Sequence, residues 1–363
     1  MALLLTMENF KILCTLIVFS LLCSCRIGEG KETELILESL GKEINNRTFK
    51  DNIIERISEY SYDGKAFLIS ANSDSVWIVD NYLNQVVILD SNLSYINKFL
   101  DGGEGPSEHV GLKRVFFNLN GGYTTFDHSQ QLFRIFNEKD SIELFYKFDG
   151  EKWVDDMVQL HNNTYLFPES FEDKYRFIVK NFETDSIIRE YNVIDLLEGL
   201  FPESILQSID YEKNLIFEGY FSSGSGDWVV YTCNKAGIFF VFDKYGEFIN
   251  SYRTLDKLSI PKFSKREISP GYFAHEVFPD IRGNYSRAIG NGKVYILSNI
   301  VKLSYLGKRA VDVYSIYNRE YLYSFFIANM DDGQEVDGIS IYDNNLYVLY
   351  ENSTIVKYHL IQK

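Results

Sequence analysis

One pattern constrains this chain more than any other. Val79–Asp90 reads VDNYLNQVVILD: the end of an apolar run, a polar turn, a second apolar run and an acidic stop. Phe126–Asn137, FDHSQQLFRIFN, repeats it, with Asp127 ten residues before Asn137 as Asp80 is ten before Asp90. Thr232–Asp243, TCNKAGIFFVFD, and Leu349–Leu360, LYENSTIVKYHL, have the same shape. Period-two alternation between clusters of Asn, Asp, Gly and Ser marks strands and their turns. One further strand precedes each of the first three hairpins (KAFLIS, RVFFNL, LIFEGYF) and another follows it (SYINKFL, SIELFYKF, EFINSY). The unit is a four-stranded meander recurring about every 40 to 65 residues, and six units fit between Lys65 and Lys363.

A single four-stranded sheet cannot bury both of its apolar faces. Radial packing against like neighbours buries them and leaves only short edges, which is the propeller solution. The expected fold is therefore all-β, a six-bladed β-propeller of four-stranded antiparallel blades. A pair of stacked sandwiches is the alternative, and repetition of one unit six times argues against it. The last unit lacks a strand, because the chain ends soon after TIVKYHL. Asn52–Tyr62, NIIERISEYSY, can supply it and close the ring with an N-terminal strand. Aromatic content of 16%, with 26 Tyr and 28 Phe, suits strands. The one helix candidate, Val193–Leu206, is interrupted by Pro202. A net charge of −15 repels phosphate backbones and excludes nucleic acid as the expected partner.

The N-terminus belongs to a different class of segment. Lys11 precedes the apolar run Ile12–Leu22, which suits the core of a signal peptide and is short for a bilayer span. The run ends Leu22-Cys23-Ser24-Cys25, which resembles the bacterial lipobox, with Cys23 larger than the usual small residue. The resemblance implies cleavage before Cys25 and lipid on its sulfur; an ordinary secretory signal is the alternative. Residues 1–24 then form a lipoprotein signal peptide, 25–50 a lipidated cysteine and flexible tether, and 51–363 the propeller. Met7 is an alternative start. This placement implies the cell envelope, as an outer-membrane lipoprotein of a Gram-negative bacterium held to the membrane through Cys25. Cys233 is the one cysteine left in the globular part, so no intramolecular disulfide forms there, and its apolar setting reads as a buried strand.

The alternation breaks at Phe99–His109, FLDGGEGPSEH. Gly102, Gly103 and Gly105 are not followed by Lys-Ser/Thr or by a helix, so this is no phosphate loop. It falls where the chain must cross from the outer edge of one blade to the axis of the next. Gly103-Glu104-Gly105-Pro106-Ser107-Glu108-His109 resembles the Gly-x-Gly-Pro-Gly-Glu-Tyr connector of six-bladed propeller lipoproteins of Bacteroides-type bacteria, related to NHL-repeat and TolB-like propellers. Ser107 and His109 depart from that pattern. Asp80 and Asn84 also look like the Asp-x-x-x-Asn of the NHL repeat. The resemblance implies fold more than role, because propellers host many functions.

Two functions are open at this point. A binding or scaffolding module would present aromatic and polar loop residues to a protein or glycan partner; Tyr82, His109, His128 and Trp153 are the candidates, with no cofactor. A calcium-dependent lactonase or hydrolase would gather Asp80, Asn81, Asp127, Asn234 and Asn299, placed just past inner strands, at the channel mouth. The same residue types serve ordinary turns. No HExxH motif and no nucleophile elbow occurs; SSGSGDW, Ser222–Trp228, is a turn before a strand. His109 and His128 read as polar loop residues without metal-ligand spacing; the alternative brings them together near the axis, beside Glu108. Asp155-Asp156 and Asp331-Asp332 read as solvated surface pairs.

Overall fold

The computed structural model describes residues 47–361, apart from 101, 103–107, 118–121, 151, 172–173, 207–215, 225–226, 257, 259–261, 270–271, 279–283, 300–305 and 319. The signal segment, Cys25 and the centre of the glycine-rich connector lie outside the described residues. The rest is a six-bladed β-propeller.

Blade 1 is β2 (Leu68–Ala71), β3 (Ser75–Asp80), β4 (Gln85–Asp90) and β5 (Tyr95–Phe99), hydrogen-bonded in that order. Blade 2 is β6 (Leu112–Phe117), β7 (Tyr123–Asp127), β8 (Leu132–Phe136) and β9 (Ile142–Lys147). In blade 3 the inner position is split between β10 (Trp153–Val154) and β11 (Val158–Gln159), which both pair β12 (Thr164–Phe171), followed by β13 (Lys174–Asn181) and β14 (Ser186–Asn192). Blade 4 is β15 (Gly219–Ser223), β16 (Trp228–Cys233), β17 (Ile238–Asp243) and β18 (Phe248–Arg253). A hairpin, β19 (Lys262–Ser269) with β20 (Tyr272–Phe278), interrupts the crossing to blade 5, an excursion the sequence pattern did not single out. Blade 5 is β21 (Asn284–Gly290), β22 (Lys293–Ser298), β23 (Lys308–Ser315) and β24 (Tyr321–Ala328).

Blade 6 combines both ends of the chain. β25 (Val336–Tyr342), β26 (Asn345–Tyr350) and β27 (Thr354–Leu360) are completed on the outside by β1 (Ile54–Ser61), antiparallel to β27 from Ile54↔Leu360 to Ser61↔Thr354. The strand read from NIIERISEYSY thus closes the ring. Residues 47–50, assigned to the tether from sequence, pack on blade 5 instead of leaving it. Phe49 bridges Ser324 and stacks on Phe326 at 4.1 Å, and Arg47 is buried between Asp256 at 2.6 Å and Asp312 at 2.7 Å.

The core confirms why the blades need one another. Among the described residues the buried apolar side chains fall into one cluster per seam. Val79 and Val86 meet Leu112 and Phe136 between blades 1 and 2, and Phe177 meets Phe221, Tyr231 and Phe242 between blades 3 and 4. Burying each such side chain contributes about 1.5–3 kcal/mol. Gly224 is held to glycine by this packing, since a Cβ there would lie 2.0 Å from the Ile289 carbonyl oxygen of blade 5. The helix candidate is realised as two short pieces, a 3-10 turn at Asp195–Leu197 and one α-turn at Glu203–Leu206, on either side of Pro202.

The ten-residue spacing has a physical cause. Asp80 Oδ1 accepts the backbone N–H groups of Tyr82 and Leu83, while Oδ2 accepts Lys65 N–H and the Tyr62 hydroxyl. Ten residues on, Asp90 Oδ1 closes the outer turn by accepting Asn92 and Ser94 N–H. Asn137 and Asp243 close their outer turns the same way. The first two repeats therefore start and stop on a short side chain that satisfies turn backbone, and the third stops on one. Asn84, at φ 52°, then links blades by accepting Leu112 N–H at 2.9 Å. Gln131, at φ 51°, does the same for blade 3 through Val154.

Candidate functional site

The inner strands β2, β6, β11, β15, β21 and β25 surround the axis. Alternating strand direction puts their first residues at one face, together with the β3–β4 type turns and the connectors between blades. Two joined cavities run along this channel. The one nearer that face has a volume of about 150 Å³ and is lined by Phe67, Lys113, Tyr220, Asn234, Arg287 and Asp337 among others. The deeper one, about 240 Å³, is lined by Arg114, Phe116, Met157, Phe221, Ser223 and Tyr342 among others. Arg114 and Arg287 line both.

Charge is concentrated at this waist. Arg114 binds Asp156 through two hydrogen bonds, 2.7 Å from Nε and 2.6 Å from Nη2, and Nη2 also donates to the Phe221 carbonyl at 2.7 Å. Asp156 Oδ2 in turn accepts Phe221 N–H at 2.7 Å. Burial raises the Asp156 carboxyl, but Arg114, Lys113 and Arg287 outweigh it and hold it below the usual carboxylate range. Asp155, its neighbour, is pushed up to about 6 by burial, with Lys113 and the Tyr175 hydroxyl partly offsetting. Asp155 anchors a buried chain: Trp153 Nε1 donates to Oδ1 at 3.0 Å, Tyr175 donates to Oδ2 at 2.9 Å, and the Tyr175 and Tyr231 oxygens are 2.9 Å apart. The reading of Asp155-Asp156 as a solvated pair is thus corrected: they are 6% and 0% exposed, because a broken inner strand turns them toward the channel cations.

Arg287 is different. It is 8% exposed, Nη2 donates to the Phe221 carbonyl at 3.0 Å, and its Nε has no hydrogen-bond partner among the described residues. Its guanidinium carbon lies 4.7 Å from the centroid of Tyr220, over which Lys113 Nζ also sits at 4.5 Å. Burial, followed by repulsion from Arg114, lowers Arg287 to about 9.

The residues singled out from sequence separate into three groups. Tyr82 and Trp153 are on the face around the mouth, 78% and 41% exposed. Trp153 is held rigidly by Asp155 and by an edge contact of its ring with His128, centroids 5.1 Å apart. His128 is lowered to about 4, by burial and then by Lys113. His109 is fully buried instead, its Nδ1 3.1 Å from Arg134 Nη1 and 3.8 Å from Asp127 Oδ2. It therefore packs in the body of blade 2, while His128 faces Trp153, so the two rings occupy separate environments instead of the alternative meeting at the axis.

Asp80, Asp127, Asn234 and Asn299 sit at the ends of second strands, one strand farther out than the inner-strand placement read from sequence, and Asn81 is in an exposed turn. Asp127 repeats the role of Asp80: Oδ2 accepts Val110 N–H at 2.8 Å and Gly111 N–H at 3.2 Å, and Oδ1 accepts Gln130 N–H at 2.9 Å. Asn299 accepts from Arg309. Of the five, Asn234 lines the mouth cavity. Among the described residues no group of three or more His, Cys, Asp or Glu is placed to hold a metal ion. Cys233 is buried in β16, as its sequence setting implied.

No protein-family model matches the chain, and no curated protein matches it in sequence. Similarity lies in structure. A Bacteroides fragilis protein described as exported matches at 12% identity over 87% of this chain and 98% of that one, with a TM-score of 0.50. A virginiamycin B lyase from Staphylococcus aureus, crystallised with quinupristin, matches at 13% identity over 85% and 100%, with a TM-score of 0.49. BamB from Moraxella catarrhalis matches at 9% identity over 85% and 100%, with a TM-score of 0.43. At these identities the likeness is one of fold.

Proposed function

We propose that this chain is a lipid-anchored, extracytoplasmic binding propeller of a Gram-negative cell envelope, held to the outer membrane through Cys25, and that it engages a protein or glycan partner at the face where the channel opens. The observation that carries the reading is the exposed apolar set on that face. Tyr82 is 78%, Val110 47%, Leu83 45%, Trp153 41% and Phe67 36% exposed. Tyr82 and Leu83 lie in the β3–β4 turn, Phe67 and Val110 lie just before β2 and β6, and Trp153 opens β10, all at the same face. Trp153 is also pre-organised by its hydrogen bond to Asp155, which lowers the entropic cost of using it as an anchor. Aromatic anchors of this kind dominate binding energy at interfaces. The signal-like N-terminus and a fold shared with a protein described as exported support the location.

Two experiments test this. Labelling of cells with a palmitate analogue should mark the wild-type protein and not Cys25→Ala; labelling that persists in the variant overturns the anchor. A photo-crosslinking residue at Tyr82 should capture one discrete envelope protein, or a glycan array should yield binding that Tyr82→Ala/Trp153→Ala abolishes. Capture that is equal from Phe145, on the outer rim, would overturn the assignment of this face.

A further inference from the structure

We propose that the channel mouth is a binding site for a small organic monocarboxylate, with the Arg287 guanidinium as its anion receptor and Lys113 and Tyr220 as its walls. The argument begins from Arg287. Buried guanidinium groups are ordinarily paired, because an unpaired donor in a dry site forfeits its hydration. Arg114, on blade 2, follows that rule with both oxygens of Asp156. Arg287 does not. Its one hydrogen bond among the described residues goes to a carbonyl oxygen that Arg114 already shares, and its Nε is orphaned. The side chain borders open volume on both sides of the waist. A buried guanidinium with an unpaired Nε and no carboxylate hydrogen-bonded to it among the described residues, bordering open volume, is suited to a carboxylate, which matches guanidinium geometry.

The surroundings limit the ligand further. Lys113 and Arg287 supply positive charge over the Tyr220 ring, while Asp337 lines the same cavity, Asp155 and Asp156 lie behind it, and Glu218 acts on Lys113. Carboxylates outnumber the cations here and Arg114 is already paired with Asp156, so the two charges of a phosphate dianion are disfavoured more strongly than the single charge of a carboxylate held on Arg287. The mouth cavity, about 150 Å³, is below the ordinary range for drug-sized ligands and fits a molecule no larger than a single sugar acid. Asn234, on the wall of the same cavity, provides an amide for hydroxyl groups. Phe67 borders both surfaces, but Tyr82 and Trp153 do not line the cavity, so either reading can fail alone.

Titration calorimetry with glucuronate, glucose and inorganic phosphate tests the site at pH 7. Glucuronate is expected to bind and to raise the melting temperature by about 2 °C or more at saturation. Glucose and phosphate are expected to bind at least tenfold more weakly. Arg287→Gln should weaken glucuronate binding at least tenfold while retaining the strand-dominated far-ultraviolet spectrum. Should Arg287→Gln not fold, Lys113→Gln should give a loss in the same direction. Phe145→Ala, on the exposed outer strand of blade 2, should leave glucuronate affinity unchanged. Absence of glucuronate binding, equal binding by the Arg287 and Lys113 variants, or preference for phosphate would each overturn the proposal.

Discussion

Arg114 and Asp156 join blade 2 to blade 3 across the channel wall through a two-pronged contact of 2.7 and 2.6 Å, and the Phe221 backbone brings blade 4 into the same cluster. Arg287 of blade 5 donates to the same Phe221 carbonyl, so four blades share one buried polar knot at the axis.

Breaking that knot from one side leaves a charge stranded. Arg114→Gln should destabilise the protein by about 3–5 kcal/mol, the usual cost of removing one partner of a buried pair. Urea or guanidinium denaturation measures it. Lys244→Gln, which removes the exposed partner of Asp227, should leave the midpoint unchanged. Equal, small effects from both would mean that the knot does not hold the blades.

Asp127 makes stability depend on acid. Burial raises Asp127, but His109 and the N–H groups of Gln130, Val110 and Gly111 outweigh it and hold it at about 2, against 3.8 for a free side chain. A depressed carboxyl contributes stability that is full above pH ~4 and is lost as pH falls through 2, worth about 2 kcal/mol here. Asp127→Asn should flatten that part of the acid unfolding curve. A variant with the wild-type acid midpoint and neutral-pH stability would contradict the role given to this residue.

Much of this was legible in the chain because it is local. Alternation, turn residues and the ten-residue interval are short-range consequences of four-stranded blades, so blade number and the N-terminal closing strand could be read directly. The channel site was not legible. Lys113 and Arg114 open a run that otherwise reads as a strand, and Arg287 lies in NYSRAIG, where a lone arginine looks like a solvated position. Their partners, Asp155-Asp156 and the Phe221 carbonyl, are 42 to 107 residues away in the chain. The available signal was a basic residue near the start of an inner strand in blades 2 and 5. The β19–β20 hairpin was missed because its alternation merges with charged residues that resemble a loop.

Calcium should matter little to this fold. The oxygens of Asp80 and Asp127 already accept backbone N–H groups at 2.8 to 3.2 Å. Thermal melts with millimolar calcium and with chelator are expected to coincide. A shift of several degrees between them would favour the hydrolase reading, since a tightly bound ion stabilises the native state by mass action.

The central claim is that the two ends of the chain meet in one blade and close the ring. Ser61 Oγ and Thr354 Oγ1 face each other at 3.4 Å across β1 and β27, although 293 residues separate them. In Ser61→Cys/Thr354→Cys the two thiols should oxidise to an intramolecular disulfide in the folded protein, raising the melting temperature under non-reducing conditions. Quantitative recovery of two free, reagent-accessible thiols from folded protein under oxidising conditions would contradict the closed six-bladed ring.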